Sequence, residues 1–297
     1  MIDHLGIDIN RASKLYIQSQ SKPRSIQFDF LPVDLPELLQ LGSDGLNFVT
    51  TVTDWVSECY RQKTVSLNNE VVFEFDKAHL SAPIKRPGKV ICIAGNYPAV
   101  NKMDCPEFPI VFLKPSGGVI GHSQAVSIPA VCKSVAYEVE LAIVIGRQCK
   151  NLLKEEAYSA IAGYTLANDL GDRLLEKRTS QWTSGKMFDT FTPMGPIMFT
   201  KDDLGDVNNL KMLTKLNGQI VQMSNTSQMF FNVPNLVAYI STLTTLECGD
   251  VILTGSPKLM ECQPNPACDL KSGDIVEVSI EGMGSLINPI IAENQVI

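Results

Sequence analysis

The sequence predicts an α+β chain, rich in strands, with a small α/β N-terminal domain over residues 1–82 and a larger strand-rich domain over 83–297. Three observations carry that expectation. The stretch LSAPIKRPGKV, punctuated by Pro83, Pro87 and Gly88, separates a partly helical beginning from a chain of strand-like runs. GDIVEVSIEGMGSLIN alternates Val276, Val278 and Ile280 with Glu277, Ser279 and Glu281, as a half-exposed antiparallel strand does. No GxGxxG or GxxxxGK[ST] signature occurs, which argues against dinucleotide-binding and P-loop folds.

In chain order, Leu35, Leu38, Leu39, Phe48, Val49, Val52 and Trp55 roughly follow a 3.6-residue period and predict helix. Val90 to Ala94 is a short apolar strand. VAYEVELAIVIG (135–146) reads as one continuous buried strand, and LLKEEAYSAIAGY (152–164) as an amphipathic helix. DLGDRLLEKR (169–178) is a second candidate helix, with Asn168 or Asp169 as its N-cap.

The composition, 44% hydrophobic and 19% charged, is that of a globular protein. The net charge of -7 argues against nucleic acid as a main partner, yet leaves room for a small anion in a local cationic pocket. No apolar run approaches the roughly 18 residues that would span a bilayer. The first residues show no basic segment followed by an apolar core, so the expectation is a cytoplasmic enzyme. Eight scattered cysteines without CxxC spacing favour reduced thiols over disulfides or zinc; Cys262 and Cys268, flanking QPNPA, are the one pair that could hold a metal or a redox bond.

The strand 135–146 raises the functional question. Residues two apart share a face. Tyr137, Val139, Leu141, Ile143 and Ile145 make one apolar face, while Glu138 and Glu140 stand side by side on the other. Two such carboxylates repel, and each is costly to desolvate. Either they belong to an exposed edge strand, or a divalent cation holds them together. Asp169 favours the cation: it lies 29 residues after Glu140, enough for a crossover and a returning strand. Three carboxylates without histidine or cysteine suit Mg²⁺, Mn²⁺ or Ca²⁺ and leave open positions for a chelating 2-oxo acid. Arg173 is either an i,i+4 ion-pair partner of Asp169 or a substrate contact; Lys114 and Lys186 are either solvated surface or anion-binding groups.

These stretches carry a resemblance. VICIAGNY, PIVFLKPSGGVIGH, YEVELAIVIG, GYTLANDLGDR, QWTSGKMFDTFTPMGP, GDVILTGSP and SGDIVEVSIEGMGSLIN resemble, in order, segments of the fumarylacetoacetate hydrolase family, over about residues 83–290. The first 80 residues resemble the smaller appended domain of bacterial-type members. The resemblance implies a catalytic domain of rolled mixed sheets (a β-sandwich or β-roll), a homodimer, and a divalent metal, Mg²⁺ or else Mn²⁺ or Ca²⁺, held by Glu138, Glu140 and Asp169. It assigns the family's catalytic, substrate-contacting lysine to Lys186, matches Arg173 to the arginine of the family's N-D-x-x-x-R pattern and sets Thr254-Gly255-Ser256 where the family reads TGT; together with Lys114, read from its own segment, these are the expected substrate contacts. Leu174 stands where an aspartate commonly follows the arginine. Many members place a water-activating His/Glu pair on a lid; here Val100 and Met103 occupy those positions. The histidines are His4, His79 and His122, none on that loop, and His122 reads as structural; Asp104 and Glu107 are the nearby acids.

The implied function is metal-dependent hydrolysis of a C–C bond in a 2-oxo or 2,4-dioxo acid of acylpyruvate type. The missing lid pair keeps two alternatives open: an oxaloacetate-type decarboxylase or keto–enol tautomerase or isomerase, and a metal-binding pseudoenzyme. The expected partner is a small anionic 2-oxo acid, with no nucleic acid and no membrane.

Overall fold

The computed structural model describes residues 5–19, 31–65, 67–98, 105–258 and 269–293. His4, Val100, Met103, Asp104, Cys262 and Cys268 lie outside the described residues. The chain divides into two compact units, Met1–His79 and Leu80–Ile297.

In the first unit, helices Ile9–Ser19, Leu35–Gln40 and Gly42–Gln62 accompany a two-stranded antiparallel sheet of Leu5–Ile7 and Val72–Glu74. Val52 and Val56, one helical turn apart, are fully buried with Ala12, and the Tyr16 ring meets Trp55 edge-on at 5.6 Å.

The second unit is built from two mixed sheets. The seven-stranded sheet runs Ile110–Lys114, Val90–Ala94, Val251–Leu253, Val139–Ile145, Ile161–Asn168, Thr192–Thr200, Val119–Ile120. The five-stranded sheet runs Gln219–Asn225, Lys211–Leu216, Ile275–Ile280, Gly284–Ala292, Val126–Ile128. Their facing side chains share one core: Leu141, Ile143 and Ile145 from the first sheet, Met212, Val278, Ile280 and Leu286 from the second, closed by Val233, Leu236, Val237 and Ile240 of the helix Val233–Leu243. The alternation read at 276–281 is borne out, with Val276, Val278 and Ile280 buried. Every residue of Val139–Ile145 is buried, on both faces.

Three local expectations are corrected. The strand expected over 135–146 breaks at Tyr137 and Glu138. Val135–Ala136 pairs with Gly171–Asp172, whereas Val139–Ile145 pairs with Ile161–Asn168. The helix expected over 152–164 is a short 3-10 segment, Lys154–Ala160, after which the chain becomes strand. A helix cannot continue there because Gly163 lies flat against the next strand, where a Cβ would stand 2.1 Å from the Phe199 carbonyl oxygen. The helix expected over 169–178 is only Arg173–Glu176. Its N-cap is Asp172, whose carboxylate accepts the Leu174 and Leu175 N–H groups, so neither Asn168 nor Asp169 caps it. Asp169 and Arg173 therefore share no helical face, and no ion pair joins them among the described residues.

Candidate metal centre

The break in the strand creates the site. At the corner where the chain changes partners, the Asp169 N–H donates to the Glu138 carbonyl at 2.9 Å. The Glu138 N–H donates to the Asn168 side-chain oxygen at 2.9 Å. Glu138 and Asp169 are thus locked across the same corner, and Glu140 follows two residues along the strand, paired with Ala167. One oxygen from each of Glu138, Glu140 and Asp169 lies within 4.8 Å of the others; Glu140 and Asp169 are buried, while Glu138 is partly open. The exposed-edge reading is therefore excluded for Glu140.

Two lysines stand among these acids. The Lys114 ammonium is completely buried and donates to Asp169 Oδ1 at 2.5 Å and to the carbonyls of Leu170 and Phe191 at 2.9 and 2.7 Å. Lys186 donates to Glu138 Oε2 at 2.6 Å, to Asp169 Oδ2 at 2.9 Å and to the Asp169 carbonyl at 3.0 Å. Neither lysine is solvated surface. Among the described residues no ammonium contacts Glu140; its Oε2 accepts the Gly255 N–H at 2.6 Å. Gly255 has φ +98°, and a Cβ there would lie 2.8 Å from that of Asn96, so this amide reaches Glu140 only from a glycine.

Electrostatics follow from this arrangement. Burial, then the charges of Asp169 and Glu138, push the Glu140 carboxyl well above the usual carboxylate range. Burial acts the same way on Asp169, but Lys114 and Lys186 outweigh it and hold its carboxyl below the ordinary value. Burial would lower the Lys186 pKa, yet Asp169, Glu138 and Glu176 hold it well above the ordinary range. Three clustered carboxyl groups thus face two ammonium groups, and among the described residues Glu140 is the one of the three without an ammonium partner. An all-oxygen, net-negative, largely buried donor set of this kind fits a hard divalent cation.

A cavity of about 120 Å³ opens over the cluster, lined by the three acids, Lys186 and Ser256. Phe112 and Trp182 wall it, their rings edge-on at 5.9 Å. Of the residues assigned to substrate by sequence, Lys186 and Ser256 line this cavity. Thr254 is buried and donates its hydroxyl to the Leu141 carbonyl at 3.0 Å, and Gly255 serves Glu140. All three Lys114 donors are taken by protein oxygens, which places it behind Asp169. Arg173 and Glu107 are not among the lining residues. His122 accepts the Ile287 N–H through Nδ1, a structural contact, and burial lowers its pKa. The sequence reading missed Glu176, Phe112 and Trp182. The signal for Glu176 was the DRLLE run: with Asp172 as cap, Glu176 closes the single helical turn and lies toward Lys186, its Oε1 4.0 Å from Nζ.

The family model described as fumarylacetoacetate (FAA) hydrolase C-terminal matches residues 89–291, which include all of these groups. The chain belongs to the fumarylacetoacetate hydrolase family. Among curated relatives, a Xenopus laevis protein named oxaloacetate tautomerase fahd2, mitochondrial, is 36% identical over 266 residues, covering 88% of this chain and 79% of the relative. The human oxaloacetate tautomerase FAHD2B, mitochondrial, is 39% identical over 225 residues, 74% of this chain and 72% of the relative. Among solved structures, a 5-carboxymethyl-2-hydroxymuconate delta-isomerase from Mycobacterium smegmatis superposes with a TM-score of 0.68 at 36% identity, over 75% of this chain and 86% of that one. A maleylpyruvate hydrolase from Sphingobium sp. SYK-6, in complex with manganese (II) ion and pyruvate, gives 0.70 at 25% identity, over 89% of each. Family members are thus enzymes that include tautomerases, isomerases and hydrolases. Among the described residues no helix is long and apolar enough to cross a membrane.

Proposed function

We propose that this family member is a divalent-metal-dependent keto–enol tautomerase acting on a small 2-oxo diacid of the oxaloacetate type. The observation that carries this reading is the donor pattern of the cavity: three clustered carboxyl groups, two ammonium groups, and one buried glutamate that lines the small pocket and has no ammonium partner among the described residues. Glu138, Glu140 and Asp169 would hold the cation, with Mg²⁺ or Mn²⁺ suited to the oxygen set. When bound, such a cation polarises a chelated 2-oxo group and stabilises the negative charge that develops on its oxygen. The chain's own residues supply the rest. Lys186 places a fixed positive charge at the cavity wall, Lys114 keeps Asp169 ionised from behind, and Phe112 and Trp182 narrow the space available to water.

Hydrolysis of a C–C bond makes one further demand, a base that activates water. The family resemblance assigns the positions of such a His/Glu pair to Val100 and Met103, neither of which can be a base. Enolisation does not need that pair, and the names of the relatives from Xenopus laevis and Homo sapiens support the same choice. The test is to mix chelator-treated protein with Mg²⁺ or Mn²⁺ and follow the enol absorbance of oxaloacetate, with acylpyruvates as hydrolase substrates in parallel. Metal-dependent relaxation of the enol without acylpyruvate cleavage is expected. Cleavage of acylpyruvates at comparable rates would restore the hydrolase reading, and oxalate binding without turnover would indicate a pseudoenzyme. The homodimer implied by the family is part of this proposal; the edge strand Ile110–Lys114 leaves Ile110 and Leu113 42% and 52% exposed, a surface that a second copy would cover in sedimentation analysis.

A further inference from the structure

The tautomerase reading leaves one step without a group to perform it, the transfer of a proton between carbon and oxygen. Glu176 has the placement for it. Its carboxylate lines the cavity with the acidic cluster, is 19% exposed, and accepts no hydrogen bond from any described residue. Lys186 is its nearest cation, with Nζ 4.0 Å from Oε1, too far for a hydrogen bond, and that ammonium is already committed to Glu138 and Asp169. The other acids of the cavity are engaged: Asp169 with two lysines, Glu138 with one, Glu140 with the Gly255 amide.

Two glycines make the room that Glu176 occupies. A Cβ at Gly171 would stand 2.2 Å from Glu176 Oε1 and 2.7 Å from the Lys186 Cδ, and one at Gly185 would stand 2.5 Å from the Glu176 Cγ. The two elements on either side of this side chain are therefore cut back to admit it. Burial raises the Glu176 carboxyl above its ordinary value; Lys186 opposes this, and Glu138 and Asp169 reinforce it. A carboxyl shifted in that direction is the better proton acceptor near neutral pH.

We propose that Glu176 is the proton-transfer group of this site, acting on carbon 3 of a 2-oxo diacid bound over the acidic cluster. The proposal rests on the tautomerase reading above. In the ketone-to-enol direction the Glu176 carboxylate takes a proton from C3. The C3–H electron pair becomes the C2=C3 double bond, and the carbonyl π pair moves to the C2 oxygen. The proton held on Glu176 then passes to that oxygen, giving the enol and returning the carboxylate. The reverse direction retraces these steps, and no oxidant or co-reactant is consumed.

The test compares wild type, Glu176→Gln and Glu176→Asp, each loaded with Mn²⁺, for enol relaxation of oxaloacetate and for exchange of the C3 hydrogens of oxaloacetate into D₂O by NMR. Glu176→Gln is expected to lose about 10²–10⁴-fold in both rates, the usual contribution of a positioned acid–base group. Its KM should stay within about threefold, because substrate binding is not what the variant removes. Manganese binding, read by electron paramagnetic resonance, should be unchanged, which excludes collapse of the site. Glu176→Asp should recover part of both rates. An active wild type with a Glu176→Gln variant within about threefold of it in kcat overturns the Glu176 assignment alone. A wild type that neither relaxes the enol nor exchanges C3 hydrogens overturns the tautomerase reading and this role with it.

Discussion

Glu140 offers a sign reversal that tests the charge argument directly. Its carboxylate is buried within 4.8 Å of two others, and at that distance an effective dielectric of 20 gives roughly 3.5 kcal/mol of repulsion per pair. Glu138 and Asp169 each have a lysine within 3 Å to offset this, while Glu140 has only an amide. In metal-free protein the group relieves the strain by taking up a proton, which is why its carboxyl lies well above the usual range. Between about pH 4.3 and that raised value the folded state holds a proton that the unfolded state has lost, so wild-type stability falls as pH rises, by up to about 1.4 kcal/mol per unit. Glu140→Gln keeps an oxygen for the Gly255 N–H and removes the titration. Chelator-treated Glu140→Gln should therefore match wild type near pH 4 and exceed it by about 1–3 kcal/mol at pH 8, or roughly 3–10 °C in a unit of this size.

Adding Mn²⁺ should reverse the order. At one hundred times its dissociation constant a ligand adds about 2.7 kcal/mol to the state that binds it. Wild type should gain that amount, and Glu140→Gln, with one donor fewer, much less. Calorimetric melting with and without Mn²⁺ at pH 5 and pH 8 reads all four states. A metal-free variant less stable than wild type at pH 8, or a gap that does not widen with pH, would refute the charge argument. An equal Mn²⁺ shift in both proteins would remove Glu140 from the ligand set.

Three further outcomes follow from the same geometry. Lys114→Met strands the buried Asp169 without one of its two cations and should cost about 3–5 kcal/mol in urea unfolding; a loss below about 1 kcal/mol would mean that Asp169 is charged by Lys186 alone. Asp172→Asn replaces one of two carboxylate oxygens, each of which accepts two N–H groups, from Leu174 and Leu175 or from Lys133 and Ser134, and should cost about 2–4 kcal/mol at pH 7. Burial opposes ionisation of Asp172, but those N–H groups hold its carboxyl below the ordinary value, so the cost should shrink as pH falls below about 4, where wild type loses the same charge. Gly255→Ala forces a side chain onto φ +98° and against Asn96, and should lower both melting temperature and metal affinity, by about 1–3 kcal/mol of strain in the former. A variant with normal stability and affinity would show that the Gly255 amide does not hold Glu140.

Much of this was legible because it depends on local periodicity. The apolar face of 139–145, the alternation at 276–281 and the helix through Val52 and Trp55 each follow from side-chain spacing within one element. The i, i+2 glutamates and a later aspartate were legible for the same reason. What was not legible depends on which strands pair. A continuous apolar run gives no sign that Val135–Ala136 and Val139–Ile145 take different partners, so the corner at Glu138 was invisible. The helices misread at 152–164 and 169–178 yielded to tertiary pairing and to a side-chain cap at Asp172. Lys114 read as a surface or substrate group because nothing in PIVFLKP reveals that three oxygens from distant segments converge on its ammonium.

The corner also explains why this site needs two lysines where the sequence suggested simple anion binding. Antiparallel pairing up to Val139 and Asn168 brings the residues just beyond the ladder, Glu138 and Asp169, to the same point. A change of partner there stops the backbone from continuing the sheet and leaves both carboxylates beside Glu140, Asp169 buried and Glu138 partly open. Without counter-charges such a corner would not fold, because each buried carboxylate costs several kcal/mol. Lys114 is fixed from inside the protein, with every donor used, and so serves the folded state whatever occupies the cavity. Lys186 comes from the cavity side and contacts Glu138 and Asp169, two of the three residues that would hold a cation. The two lysines therefore divide the labour: one stabilises the fold, and the other stands at the boundary between protein and ligand, beside Glu176, the acid of the cavity that accepts no hydrogen bond from any described residue.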